Sequence, residues 1–214
     1  MADQDVNGEN PGRGWAQMLQ QFFHNDVTII NRGVSGRSSR SFINENRWDS
    51  VYKDLNNGDY VLIQFGHNDQ KETDPKRYTN PHTAYRHNLM QFVTQTREKG
   101  ATPILLTSIS RRKFNDNGTL INTLGTYPLE TRLVAQELDV AFIDIQYYTE
   151  KLEESYGPEK SKELHLHYKP GAIKKYPEGI EDNTHLSPKG ATEIAQIVAN
   201  QLKQLELPLA KKIK

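Results

Sequence analysis

The sequence predicts an α/β fold of three layers, with helices on both faces of a parallel sheet. Three observations predict it. Short continuous apolar runs, YVLIQF (60–65), TPILLT (102–107) and VAFIDI (140–145), lack the in–out alternation of a half-exposed strand, so each reads as a fully buried strand. Segments with helical apolar spacing separate these runs, which implies strand–helix–strand crossovers and parallel pairing. The length, 214 residues, suits one domain over 1–214 with a core of its own.

The elements follow in order. Residues 1–14 are dominated by Asn, Asp, Gly and Pro and predict a loop. Trp15, Met18, Leu19 and Phe22 fall at i, i+3, i+4 and i+7, predicting a helix over 15–23. VTIIN (27–31) predicts a strand, and GVSGRSSRSF (33–42) a loop entering a helix. A short helix over 48–55 precedes Gly58 and the strand 60–65. After a polar connection over 70–81, a helix over 83–99 shares Tyr85, Leu89, Phe92, Val93 and Thr96 on one face. Gly100 stands where a helix-ending left-handed residue belongs.

Beyond the strand 102–107 and the loop SRRKFNDNGTLIN (110–122), Pro128 opens a helix to 138 with Leu129, Leu133, Val134 and Leu138 as its apolar face. The run 140–145 is the last expected strand. Helices over 147–156 and 159–164 follow, then a loop over 168–183 holding two Pro and two Gly. Ser187–Pro188 is an N-cap and first turn for a final helix that buries Ala191, Ile194, Ala195, Val198, Leu202 and Leu205. Four strands are expected, near 27, 60, 102 and 140.

Composition excludes several functions. With 27 Lys+Arg against 27 Asp+Glu there is no basic excess to favour nucleic acid or an anionic membrane. Cys is absent, so disulfides, thiolate metal sites and a Cys nucleophile are excluded. No apolar run spans a membrane and no secretory h-region is visible, which with the missing Cys favours the cytoplasm.

Polar chemistry gathers in three clusters: 33–41, Gly66–His67–Asn68–Asp69, and EDNTHLSP (181–188). The second follows a buried strand, and in open α/β sheets ligands bind beyond the carboxyl ends of strands. A Gly-Asn-Asp turn that merely ends a strand is the plainer alternative. In the third cluster Asp182 and His185 stand three apart on an expected loop, where a carboxylate in a turn reaches the near ring nitrogen of a histidine. That contact would orient the ring of a general base and stabilise its imidazolium; a solvated cap is the alternative.

Taken together, GW at 14–15 with Gln17, INRGVSGRSSRSF (30–42), FGHNDQK (65–71), PILLTSISRR (103–112) and EDNTHLSPKGA (181–191) resemble the SGNH (GDSL-like) hydrolases, in particular the rhamnogalacturonan acetylesterase group. The resemblance implies a flavodoxin-like three-layer fold and a serine esterase that removes acetyl groups from pectic polysaccharide or its oligosaccharides. It implies an oxyanion hole from the Gly36 backbone N–H and the Asn68 amide, His185 as general base and Asp182 as its orienting carboxylate. No cofactor and no metal site are expected.

One departure stands out. The family's nucleophile is the Ser of a Gly-Asp-Ser block at the end of the first strand, and no such triplet occurs in the 214 residues. The chain is therefore expected to be truncated at its N-terminus, lacking that first strand, with strand-swapped association as one consequence. Gly33–Arg37 is not Gly-x-Ser-x-Gly, and Ser38, Ser39, Ser41 and Ser187 read as loop and cap hydroxyls. No nucleophile is assigned. A non-catalytic carbohydrate-binding remnant, or an esterase for other acetylated small molecules, are the alternatives.

Weaker signals remain open. His165 and His167 suggest a metal pair without a third ligand. Tyr127, Tyr147, Tyr148, Tyr168 and Tyr176 could stack on sugars or be half-buried structural residues. Arg111–Arg112–Lys113 could meet an acidic polysaccharide or simply be solvated. His67 has either a structural or a catalytic role.

Overall fold

The structure, a computed structural model, describes residues 10–214. The loop reading of residues 1–9, and the expectation of a truncated start, lie outside the described residues. The described chain forms two compact units. A sheet unit comprises residues 36–109 and 124–146, and a hairpin unit comprises residues 10–35, 110–123 and 147–214.

The sheet unit holds three parallel strands in the order β1 (Tyr60–Gln64), β2 (Thr102–Leu106), β3 (Ala141–Ile143). Tyr60 stands opposite Thr102 and Ile104 opposite Ala141. Around them lie α1 (Ser39–Asn44), α2 (Arg47–Asp54), α3 (Arg86–Glu98) and α4 (Tyr127–Glu137). The central strand β2 has neighbours on both sides, so Ile104, Leu105 and Leu106 are wholly buried, as the continuous apolar run requires. Phe42, Trp48, Ile63, Leu89, Phe92, Val93 and Val134 pack with Leu105 into one core.

Two expectations change here. β1 is not fully buried: only Ile63 is, and Val61 and Leu62 are half-buried. Among the described residues β1 pairs only with β2. In α4 the expected apolar face is split: Val134 is buried and Leu138 half-buried, but Leu129 is 46% and Leu133 40% exposed. Glu130 and Thr131 lie inside instead, because each finds a partner there. Glu130 meets His82 at 2.6 Å and Arg86 at 3.2 Å, and Thr131 Oγ1 lies 3.0 Å from the Tyr85 hydroxyl. Paired polar groups can be buried, so apolar pattern alone did not orient this helix. Tyr85 itself belongs to a π turn, Pro81–Tyr85, that leads into α3.

The hairpin unit is built on α6 (Pro188–Lys203). Ser187 caps it, its Oγ accepting the Gly190 N–H at 3.1 Å. Ala191, Ile194, Ala195, Val198 and Leu202 are buried, and α6 packs on the helix Trp15–Phe22, whose Trp15 and Leu19 are also buried. Burial of each larger side chain contributes about 1.5–3 kcal/mol. Leu205 is half-buried. The helix Trp15–Phe22 is 3-10 rather than α: Gln17 N bonds Gly14 O at 3.0 Å and Phe23 N bonds Gln20 O at 3.1 Å, each closing at i−3.

Three further corrections fall in this unit. Residues 27–31 form no strand. The Gln20 side chain takes the place of a neighbouring strand, accepting Ile29 N–H at 2.8 Å and donating to Val27 O at 2.9 Å, while Ile30 is 67% exposed. β-propensity without a pairing partner does not make a strand. The expected helix over 147–156 is part of α5 (Ile145–Lys160), broken at Gly157 (φ 70, ψ 177) before Pro158 and continued by a 3-10 turn, Ser161–Leu164. The expected loop over 168–183 contains an antiparallel hairpin of β4 (His165–Tyr168) and β5 (Ile180–Leu186), so only its middle is loop. Among the described residues the sheet count is thus three parallel strands and a separate hairpin, not four parallel strands.

Candidate functional site

At the end of β1 the chain turns sharply. Gly66 has φ +132, and a Cβ there would lie 2.3 Å from Ser108 Oγ. That hydroxyl donates to Phe65 O at 2.7 Å and fixes the strand end. His67 Nε2 lies 2.8 Å from Ile109 O; a carbonyl only accepts, so the ring donates and ties the loop to the end of β2. This is a structural use of His67.

Asp69 is fully buried and binds the two family-like loops together. It accepts Ser39 N–H, Ser39 Oγ–H at 2.5 Å, Gly66 N–H at 3.1 Å and Thr79 Oγ1–H at 2.8 Å. Burial nevertheless raises its carboxyl above the ordinary range. The Tyr127 hydroxyl lies 2.6 Å from Thr79 O and 2.9 Å from Asp69 O, and its ring meets Tyr85 edge-on at 5.0 Å. Tyr127 is therefore a buried strut of the loop, not a sugar platform.

The second loop is capped by its own serines. Ser38 Oγ accepts Ser41 N–H at 3.1 Å and Ser41 Oγ accepts Ser38 N–H at 2.9 Å, a reciprocal box at the start of α1. Asn88 on α3 donates to Ser39 Oγ at 3.0 Å. Gly36 precedes this cap with φ +78, a conformation suited to glycine. Asn68 joins the loops directly: Nδ2 donates to Arg37 O at 3.3 Å, and Oδ1 accepts from Arg77 Nη1 at 3.4 Å. The amide is thus oriented at both ends. One of its two N–H groups holds the residue after Gly36, and it carries a second donor besides.

In the hairpin unit Asp182 and His185 sit on β5, not on a loop. The pairing with β4 shifts between His165, opposite Leu186, and Leu166, opposite Asp182, so residues 183–185 bulge. A flat strand would send residues three apart to opposite faces; the bulge reunites them. Asp182 Oδ2 lies 2.5 Å from His185 Nδ1, and Oδ1 accepts the N–H groups of Thr184 at 2.7 Å and His185 at 3.0 Å. Burial pushes the Asp182 carboxyl up, but the His185 amide and ring and the Thr184 amide outweigh it and hold it below the ordinary value. The His185 side chain is 58% exposed, so its Nε2 side meets solvent. Chemically this is an oriented imidazole able to take and return a proton.

Several of the weaker signals have partners in the structure. His165 is buried at 2.6 Å from Glu153, and His167 Nε2 lies 2.8 Å from Asn183 Oδ1. Among the described residues no group of three or more His, Cys, Asp or Glu could hold a metal ion. Arg112 is not a solvated cation: it bonds Asn183 Oδ1 at 2.8 Å, Ser161 Oγ at 3.0 Å and the Pro158 carbonyl. Arg111 bonds Thr123, and burial lowers its pKa. The sequence reading missed Thr79 and Asn183, and it left the roles of Tyr127 and Arg112 open. Each acts through contacts 10 to 71 residues away, which no local pattern carries. Among the described residues no helix is long and apolar enough to cross a membrane.

Known proteins resemble this chain in sequence and fold. The family model described as GDSL-like lipase/acylhydrolase matches residues 2–192. The chain is 45% identical over 201 residues to rhamnogalacturonan acetylesterase RhgT of Bacillus subtilis, covering 94% of this chain and 85% of that protein. It is 35% identical to the probable rhamnogalacturonan acetylesterase YesY of the same organism, over 94% and 88%. Among solved structures, protein YxiM of Bacillus subtilis superposes with a TM-score of 0.81 at 23% identity, covering 97% of this chain and 55% of that one. Axe2, an acetylxylan esterase from Geobacillus stearothermophilus, gives 0.62 at 20% identity over 96% and 89%. The chain belongs to the GDSL-like lipase/acylhydrolase family.

Proposed function

We propose that this protein is a carbohydrate esterase that removes acetyl groups from rhamnogalacturonan or its oligosaccharides. The observation that carries the reading is the 2.5 Å contact between Asp182 Oδ2 and His185 Nδ1 on an exposed bulge. The 45% identity to RhgT supports the substrate class. His185 acts as general base, taking the proton of the attacking hydroxyl and later returning it to the leaving alcohol. Asp182 holds the ring tautomer and stabilises the imidazolium. The Gly36 N–H and the Asn68 amide donate to the oxyanion of the tetrahedral intermediate. Such donors contribute about 3–4 kcal/mol each to the transition state. An amide suits this role because it donates without a charge that would trap the acetate product. The family match spans residues of both units, which supports reading 1–214 as one catalytic domain.

No Gly-Asp-Ser triplet occurs in the sequence, and the proposal assigns the nucleophile to none of its serines. The test therefore uses two proteins: the chain as it stands, and the chain extended upstream by a strand ending in Gly-Asp-Ser. Acetate release is measured from acetylated rhamnogalacturonan, acetylated xylan and an aryl acetate. The extended chain should favour rhamnogalacturonan and show an acyl-enzyme burst that His185→Ala abolishes. The unextended chain should retain only a residual rate. A burst in the unextended chain would show that one of its own serines is the nucleophile. An inert extended chain that still binds the oligosaccharide would favour a non-catalytic carbohydrate-binding protein.

A further inference from the structure

The bulge that unites Asp182 and His185 leaves residues 183–185 outside the backbone pairing register with β4. A three-residue excursion from a hairpin has conformational freedom that a short hydrogen bond cannot suppress alone. One residue inside it, Asn183, is gripped from two directions. Arg112 Nη1 donates to Asn183 Oδ1 at 2.8 Å, and the Arg112 backbone N–H donates to Asn183 O at 3.0 Å. His167, on β4, approaches the same Oδ1 at 2.8 Å. An amide oxygen only accepts, so His167 carries its proton on Nε2. Arg112 is itself anchored, with Nε on Ser161 Oγ at 3.0 Å and Nη2 on the Pro158 carbonyl. The start of the bulge is thus bolted to the segment Pro158–Ser161. Its far end is bolted separately: Ser187 N donates to Leu164 O at 3.0 Å and Ser187 Oγ to Glu163 O at 2.6 Å.

We infer that Arg112, His167 and Asn183 are positioning residues that hold the bulge in the one shape that brings Asp182 Oδ2 to His185 Nδ1. The guanidinium is used for its fixed fork of donors, which reaches three acceptors at once. A lysine offers the same charge without that geometry. The consequence for turnover rests on the esterase reading above; the geometric claim does not.

The test is proton NMR on the full chain. A short imidazole–carboxylate hydrogen bond gives a strongly deshielded Nδ1 proton, assigned by its loss in His185→Gln. Asn183→Ala and Arg112→Lys should each broaden or abolish this signal, although Arg112→Lys keeps the charge. His167→Ala should weaken it, and His167→Gln, which restores a donor near the Nε2 position, should retain it. Far-UV circular dichroism checks folding; should Asn183→Ala or Arg112→Lys unfold, the His167 pair decides. A signal unchanged in the folded Asn183→Ala and Arg112→Lys proteins, or equal in His167→Ala and His167→Gln, overturns the inference. In the extended chain Asn183→Ala should lower kcat about 10- to 100-fold with KM unchanged. If the NMR response appears and neither protein hydrolyses esters, the esterase reading fails while the positioning role stands.

Discussion

Ser39 and Asp69, thirty residues apart in sequence, are joined by three contacts: the Ser39 N–H lies 3.0 and 3.2 Å from the two carboxylate oxygens, and its hydroxyl 2.5 Å from Oδ1. This pair fixes the loop carrying Gly36 against the loop carrying Asn68. Asp69→Ala leaves the Ser39 and Gly66 backbone donors buried without partners, at ~1–3 kcal/mol each, so a loss of about 2–6 kcal/mol is expected. Urea denaturation of the variant measures it. A change within 0.5 kcal/mol, the usual range of an inert surface substitution at about that size, would mean that water reaches these donors.

The turn at Gly66 predicts a second effect. Gly66→Ala meets both the left-handed backbone at φ +132 and the Ser108 hydroxyl at 2.3 Å. The variant should lose more than about 2 kcal/mol, since strained backbone conformations cost ~1–3 kcal/mol before any clash. Adding Ser108→Ala removes the steric part only. The double variant should therefore recover part of the loss and remain below Ser108→Ala alone, as read by a double-mutant cycle.

The buried carboxylate of Asp69 and the half-buried one of Asp182 titrate with opposite signs. Hydrogen bonds from His185 and Thr184 hold Asp182 below the ordinary value of 3.8 despite burial. Its contribution is present above 3.8 and is lost as pH falls through the lower folded value. The stability gap between wild type and Asp182→Asn should close over that acid window. Burial raises Asp69 above 3.8, so its contribution is full below 3.8 and declines as pH rises through the folded value. Unfolding free energies from pH 2 to 7, on a pH scale chosen to bracket roughly the carboxylate range, separate the two; a gap for Asp182→Asn that widens in acid contradicts the first.

Asn68 makes a kinetic prediction. In the chain extended with a Gly-Asp-Ser strand, Asn68→Ala should reduce kcat by ~10²–10³ and leave KM nearly unchanged. A change confined to KM would assign the amide to substrate binding instead.

The second edge of β1, without a paired strand among the described residues, predicts association. Among the described residues Val61 and Leu62 lie half-buried on a strand paired on one side only. Unpaired edges recruit further strands. We propose that the 24.5 kDa chain forms strand-swapped oligomers at high concentration. Light scattering should show mass rising with concentration, while hydrogen exchange slows in β1 and stays unchanged in the already central β2. A monomer at all concentrations, with β1 amides as protected as those of β2, counts against it.

The sequence by itself determined the parallel α/β sheet, the helix α3 with Leu89, Phe92 and Val93 inward, and the cap at Ser187. These depend on periodicity and capping, which are local. It also marked Asp182 with His185, and Gly36 with Asn68, because their residue types and family-like blocks survive as contiguous motifs. Tertiary structure decided the rest. Whether residues 27–31 became a strand depended on a neighbour, and the Gln20 side chain stood there instead. Which face α4 buried depended on Glu130 and Thr131 finding His82, Arg86 and Tyr85. The Asp182–His185 contact needed a bulge in a hairpin whose strands carry no strong alternating pattern, held by Arg112 from another part of the chain. Hydrogen bonds satisfied over such distances leave no periodic mark in the sequence, because any polar residue with a suitable partner can be buried there.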